Sequence, residues 1–278
     1  MLISGNAIAH DIILQVKTAW QKHSNESRPP CLCVIQVGSD TASTIYIRNK
    51  MKACDDIGFV TRPIHFPDHV HESEILLTID RLNLDDSVDG ILVQLPLPTK
   101  LNRSMIIGAI NPQKDVDAIT PHHLGLLLHG AETILPCTAA ATLAILDHYQ
   151  VHPKGRNVVM VGASMIVGKP TAIALLNRGA TVTICHIHTL DLETEIRRAD
   201  ILITAIGKPD VIDSSWLHSD CVVIDVGINH ASGKVVGDID SASVEQRVNM
   251  ITPVPGGVGP VTVACLLHNL YRCYQGMN

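Results

Sequence analysis

Apolar residues in this chain gather into short continuous runs divided by stretches of helical spacing. The runs are Cys31–Val37, Gly90–Gln94 with Val88 just before it, Asn157–Val161, Ala180–Cys185, Ile201–Ala205 and Val222–Val226. A strand with one wet face alternates apolar and polar residues. A continuous Val/Ile run predicts a strand buried on both faces, hence a parallel sheet covered by helices. Helical patterns run from about Ala42 to Ile57, over Ala139–Leu146, and over Val261–Tyr274 after the loop Pro253–Pro260. The fold class predicted is α/β. A length of 278 residues suggests roughly two domains. The boundary falls between about Gly130 and Pro153, where the Ala139–Leu146 helix links two lobes.

Composition narrows the function classes. Hydrophobic residues make up 46% of the chain and aromatics 3%, so an aliphatic core is expected and stacking platforms for single-stranded nucleic acid are not. A net charge of -6 without a basic run argues against a grip on a phosphate backbone. No apolar stretch approaches the roughly 18 to 20 residues that span a bilayer, and the N-terminus lacks the basic region of a secretory signal. Eight cysteines, none paired as C-x-x-C and most in apolar runs, read as free thiols in a reducing cytoplasm. His122–His123 and His186-x-His188 lack acidic or cysteine partners at zinc spacing, so they read as polar loop histidines and no metal is expected.

The strand ending at Val161 runs into Gly162-Ala163-Ser164, then Gly168, then a helix. Glycine at a strand end permits a tight turn, small neighbours let backbone approach a pyrophosphate, and a helix N-terminus offers N–H groups to phosphate. The order G-x-S-x-x-x-G is not the dinucleotide fingerprint G-x-G-x-x-G, and its placement between strand and helix carries the reading. About 20 residues on, where a carboxylate would hold a ribose hydroxyl, the chain reads Cys185-His186-Ile187-His188-Thr189.

In the first lobe, Ser43, Tyr46 and Lys50 share one helical face. Gln94 ends a strand and precedes Leu95-Pro96, at the end of a parallel strand where ligands bind. Asp115 and Asp117 stand two apart in a loop; a carboxylate matches the donor edge of an aminopyrimidinone, but taken alone the pair reads first as an ordinary acidic turn. Pro253–Pro260 combines stiff prolines with permissive glycines, which suits a flat ligand.

Taken together, VGSDTASTIYIRNKMKACDDIGF, ILVQLPLP, KDVDA, LPCT, VGASMIVGKP, IGKPDVI, VVIDVGIN and TPVPGGVGP resemble the bifunctional methylenetetrahydrofolate dehydrogenase / methenyltetrahydrofolate cyclohydrolase family over nearly the whole chain. The resemblance implies two lobes around a cleft: a folate-binding catalytic domain, residues 1–138 completed by 258–278, and a Rossmann domain, 139–257. It implies that Tyr46 stacks on folate, Lys50 is the catalytic amine, Gln94 holds Lys50 and Asp117 grips the pterin, with Leu95, Pro255, Gly256, Gly257, Val258, Gly259 and Pro260 also lining the folate. Gly162, Ala163, Ser164, Ile187 and Ile228 fall at cofactor positions, and the implied partners are NADP, tetrahydrofolate derivatives and a second copy of the chain.

The chain departs from the family pattern at several points. Ala163 stands where the family has Arg in G-R-S, and Ile187 where it has Ser; both positions serve the 2′-phosphate of NADP, which leaves NAD open as cofactor. Ala118 replaces Gly in K-D-V-D-G, and Ala139-Ala140-Ala141 follows Pro136-Cys137-Thr138 where the family has P-x-G. The alternatives are a cyclohydrolase with weak or NAD-linked dehydrogenase activity, and a non-catalytic folate or dinucleotide binder. A dehydrogenase of the amino-acid or shikimate type is disfavoured by VQLPLP and PGGVGP.

Overall fold

The computed structural model describes residues 1–277 apart from 23, 25, 26, 132, 133, 210 and 232, and the backbone alone at 41, 42 and 230. Asp210, in the IGKPDVI stretch, therefore lies outside the described residues. The chain divides into two units, Ile12–Cys137 with Val263–Asn278, and Met1–Asp11 with Thr138–Thr262.

The first unit contains most of α1 (Gly5–Gln21), then β1 (Cys31–Val37), α2 (Thr41–Asp56), β2 (Val60–Phe66), α3 (Glu72–Leu84), β3 (Gly90–Val93), α4 (Arg103–Gly108) and α5 (Pro121–Leu128). Its parallel sheet has the order β2-β1-β3. The central β1 is buried along nearly its whole length, as its unbroken apolar run requires. β2 is an edge strand with alternating exposure, and Pro63 within it lacks the N–H that a central strand needs. Its Val-Thr-Arg-Pro start is not a continuous apolar run, so the hydrophobic pattern does not predict this strand. Along the outer side of β3, Asp115 makes an isolated parallel bridge to Ile91, so the acidic loop extends the sheet.

The second unit holds α6 (Cys137–His148), β4 (Asn157–Val161), α7 (Gly168–Asn177), β5 (Thr181–Cys185), α8 (Leu192–Arg197), β6 (Ile201–Thr204), β7 (Val222–Asp225), β8 (Asn229–Ala231), β9 (Lys234–Val236), α9 (Ser241–Val244) and β10 (Met250–Ile251). Its five-stranded parallel sheet runs β10-β7-β6-β4-β5. The run expected at 180–185 to be buried on both faces is instead the sheet's end strand: Thr181 and Ile184 are exposed. Val159, Val161, Leu202, Val223, Ile196 and Ile251 pack into one aliphatic core beside the sheet. Because β5 and β6 lie on opposite sides of β4, the crossovers diverge at the carboxyl end of β4, the switch point where open parallel sheets receive ligands.

Two expected boundaries move. Residues Met1–Asp11 pack with the second unit, not the first: Ile3 N donates to Ile251 O at 2.8 Å, Ile251 N to Met1 O at 3.0 Å, and Ser4 N to the Tyr149 hydroxyl at 2.9 Å. The last helix, α10 (Val258–Tyr274), begins three residues before the predicted Val261 and shortens the Pro/Gly loop. Pro260 is tolerated there because a first helical turn needs no intrahelical N–H donor from it. Residues 258–262 of α10 belong to the second unit and the remainder to the first. No helix among the described residues is long and apolar enough to cross a membrane.

Candidate active site and dinucleotide turn

Asp40 caps α2 by accepting from Ser43 N at 2.7 Å, which sets the phase of the helix. Ser43, Tyr46 and Lys50 then fall on its inner side, and Lys50 is only 6% exposed. The Lys50 ammonium lies 4.4 Å from the centre of the Tyr46 ring and 3.2 Å from Gln94 Oε1. Gln94 Nε2 donates to its neighbour's carbonyl, Leu95 O, at 2.7 Å, so the carboxamide oxygen is the atom turned to the lysine. Gln94 itself is anchored as an extension of β3, its N–H donating to Ile35 O at 2.8 Å.

Asp117 completes the cluster. Burial raises the pKa of its carboxyl, and the Lys50 charge opposes that shift. Lys50 moves the other way: burial lowers its pKa, and Asp117 counteracts part of the effect. The Tyr46 phenol is pushed up, by burial first and by Asp117 second. Lys50 and two titratable neighbours, Tyr46 and Asp117, all with shifted pKa values, make this a chemically poised place in the first unit.

Several participants were not singled out from the sequence. Cys137 donates its thiol to Val116 O at 3.3 Å and lies beside Asp117; burial holds the thiol well above its ordinary pKa. Asn269 of α10 donates to Val116 O and Leu135 O, each at 3.0 Å, bracing the loop that carries Asp117. A polar residue inside the apolar stretch Leu266–Tyr271 was the available signal. Cys54, one turn beyond Lys50, is fully buried on the same face and interacts electrostatically with it. The face therefore carries a thiol beside the amine. Gly90 is needed for close packing: a Cβ there would meet Val116 Cγ1 at 2.4 Å and Leu270 Cδ1 at 2.7 Å. Ala118 has φ 55°, in the left-handed region that favours glycine, at the position where the family pattern carries one.

Asp115 has a different job. Its Oδ2 accepts from Thr120 N at 2.8 Å and lies 3.0 Å from His123 Nδ1, in a buried pair. His123 is therefore a core residue of α5, not the loop histidine expected; His186 and His188 are exposed. All eight cysteines are buried and none is paired in a disulfide. Among the described residues no group of three or more His, Cys, Asp or Glu is arranged around a common metal position.

In the second unit, Gly162 leaves β4 with φ 123°, and a Cβ there would lie 2.4 Å from Ala205 O. Gly168 opens α7 so close to this turn that its own Cβ would collide with the Gly162 carbonyl. Ser164 Oγ accepts from Val167 N at 3.2 Å and Gly168 N at 3.3 Å, so its hydroxyl caps the helix. The turn is thus a bare-backbone cradle before a helix N-terminus, which fits a pyrophosphate. Ile187 is 91% exposed and Ile228 52% exposed, both just beyond the carboxyl ends of strands of the sheet. Pro255, Gly256 and Gly257 form the turn before α10, where Gly5 N donates to Gly256 O at 2.9 Å; Val258, Gly259 and Pro260 are the first turn of the helix.

Two family models match the chain: Tetrahydrofolate dehydrogenase/cyclohydrolase, catalytic domain, over residues 3–117, and the NAD(P)-binding domain of the same family over 136–278. The chain belongs to the tetrahydrofolate dehydrogenase/cyclohydrolase family. It is accordingly an oxidoreductase and hydrolase of folate one-carbon chemistry, with a Rossmann-type second unit. It is 45% identical to the Bifunctional protein FolD of Francisella tularensis, over 100% of this chain and 99% of that one. The bifunctional FolD methylenetetrahydrofolate dehydrogenase/cyclohydrolase of Campylobacter jejuni superposes with a TM-score of 0.96 at 41% identity, covering 99% of this chain and 98% of that one. A Trypanosoma brucei relative, solved with NADP cofactor and an inhibitor, superposes with a TM-score of 0.94 at 34% identity, covering 99% and 97%.

Proposed function

We propose that the chain oxidises methylenetetrahydrofolate to methenyltetrahydrofolate with a nicotinamide dinucleotide and then hydrolyses the product to formyltetrahydrofolate. The observation that carries this reading is the buried amine of Lys50, held between the Tyr46 ring and Gln94 Oε1 beside Asp117. Hydrolysis adds water to the methenyl carbon, which requires loss of a proton, and then breaks a carbon–nitrogen bond, which requires a proton on nitrogen. An amine whose pKa is lowered by burial serves both steps: Lys50 takes the proton from the incoming water and returns it to the ring nitrogen. Gln94 holds that amine in one orientation. Tyr46 supplies a ring face for stacking, and Asp117 an acceptor for the donor edge of the pterin. Leu95 and the Pro255–Pro260 segment are assigned to folate by resemblance.

NADP, when bound, supplies the hydride acceptor. The turn Gly162-Ala163-Ser164 holds its pyrophosphate, with Ile228 against the cofactor. Neither Ala163 nor Ile187 carries a donor for a 2′-phosphate, so discrimination against NAD is reduced, and this specific feature favours an NAD-tolerant dehydrogenase as the second reading. We assign the enzyme to the cytoplasm, on cysteines that form no disulfide, and to a homodimer, by family likeness. Light scattering giving a monomer of 30.0 kDa at micromolar concentration would refute the dimer.

The activity is tested by mixing the chain with methylenetetrahydrofolate and NADP or NAD and following absorbance. Reduced dinucleotide and a transient methenyl product are expected. Absence of both, with either dinucleotide, would overturn the reading.

A further inference from the structure

The loop that follows β6 points three successive backbone N–H groups at one carboxylate. Ile206 N donates to Asp238 Oδ2 at 2.6 Å, and Gly207 N and Lys208 N donate to Asp238 Oδ1 at 3.1 and 3.2 Å. Successive N–H groups converging in a turn are the usual means by which backbone holds an anion, and here the chain supplies its own. Asn229 Nδ2 adds a fourth donor, at 2.9 Å. Asp238 is fully buried, and it lies against bare backbone: a Cβ on Gly227 would meet its Oδ1 at 2.2 Å.

A second buried acid, Asp225 at the end of β7, holds Asp238 in place. Its Oδ1 accepts from Asp238 N at 3.2 Å, Gly227 N at 2.9 Å and the Thr204 hydroxyl at 3.0 Å, and its Oδ2 accepts from Ile239 N at 2.9 Å. The two segments tied by these acids both belong to the ligand end of the sheet. Ala205, at the head of the β6 loop, touches the Gly162 turn across the switch point. Ile228 sits between Gly227 and Asn229, which the acids grip on either side.

We propose that Asp238 is a positioning residue for the dinucleotide, setting the β6 loop against the Gly162 turn and, through Asn229 and Gly227, the backbone that presents Ile228. The proposal rests on the dinucleotide reading of the second unit. Asp238 does not touch the cofactor; it decides where two walls of the cofactor's site stand. Asparagine cannot substitute for it, because a carboxamide offers one acceptor oxygen to four donors and turns its own N–H groups toward the rest.

The test compares wild type and Asp238→Asn in three measurements: NADP affinity by calorimetry, steady-state oxidation of methylenetetrahydrofolate, and hydrolysis of methenyltetrahydrofolate without dinucleotide. The variant is expected to raise Kd and KM for NADP by at least about tenfold, about 1.4 kcal/mol, with a smaller change in kcat. Hydrolysis should stay within about twofold of wild type. Unchanged NADP affinity, or a parallel loss of both activities, would overturn the proposal. If Asp238→Asn does not fold, Asn229→Ala removes one donor to the same carboxylate and should raise KM for NADP by about threefold or more; no change there is equally fatal. Wild type that binds neither NADP nor NAD would sink the dinucleotide reading itself, whereas tight wild-type binding with unaltered variants would sink this inference alone.

Discussion

In the second unit, Asp225 and Asp238 are enclosed by backbone N–H groups, a hydroxyl and a carboxamide, all donating to them. In the first unit, Lys50 is enclosed by a ring face, one carboxamide oxygen and a carboxyl that does not neutralise the cost of its burial. Both clusters are buried and polar, yet they differ in how far their hydrogen-bonding capacity is met. A carboxylate ringed by fixed donors is a strut, because disturbing it leaves several buried donors unmet. An ammonium has three donors, and among the described residues one hydrogen bond, to Gln94, accounts for one of them. That shortfall leaves hydrogen-bonding capacity on the amine, as the proposed hydrolysis requires. Degree of satisfaction thus separates the group that holds shape from the group proposed to do chemistry.

The contrast breaks first at Lys50. Lys50→Met should slow hydrolysis of methenyltetrahydrofolate by about a hundred- to ten-thousand-fold, the range for general acid–base catalysis, while folate binding is largely kept. A variant that hydrolyses near the wild-type rate removes Lys50 from the mechanism. Because Cys54 shares the face, Cys54→Ala belongs in the same assay and should stay within about threefold of wild type. Asp117→Ala should weaken folate binding by about 1.5 to 3 kcal/mol, the range for hydrogen bonds to a charged group, and unchanged affinity in calorimetry would count against the pterin assignment.

The cofactor side gives a smaller effect. Ala163→Arg should raise the NADP/NAD ratio of kcat/KM by at least about tenfold, equivalent to about 1.4 kcal/mol. Strong NADP selectivity in wild type, with no gain in the variant, would mean that the phosphate is read by other groups.

The smallest effect concerns the strut. Burial raises the Asp225 pKa from 3.8 to about 6 against the pull of its backbone donors. The native chain then holds this proton up to about pH 6, whereas the unfolded chain releases it near 3.8. The native state binds more protons in that window, so this group's contribution to stability falls as pH rises through it. From pH 5 to pH 7 the fall is about 1 kcal/mol. Urea unfolding at the two pH values should show a smaller pH dependence in Asp225→Asn than in wild type; an identical dependence would show that Asp225 does not titrate there.

The sequence displayed the strands whose environment is uniform. β1, β4, β6 and β7 are buried on both faces, and an unbroken apolar run records that. It concealed β2, whose edge position allows Pro63 and alternating polarity, and it overstated the burial of β5, because exposure at a sheet's end depends on strand order. Likewise Tyr46 and Lys50 were readable as one helical face, since helix periodicity is local. The approach of Gln94 to Lys50 spans 44 positions and was available beforehand only through family resemblance.

By itself, then, the chain's pattern determined the α/β class, the helix bearing Tyr46 and Lys50, and the glycine turn after β4, each a consequence of spacing within about a dozen residues. Tertiary structure alone decided that Asn269 and Cys137 brace the Asp117 loop and that residues 1–11 pack beside β10. It alone decided that Asp238 lies beneath the β6 loop, more than thirty positions away. Buried polar groups take whichever partners the folded backbone brings within hydrogen-bonding distance, and linear spacing carries no record of those meetings.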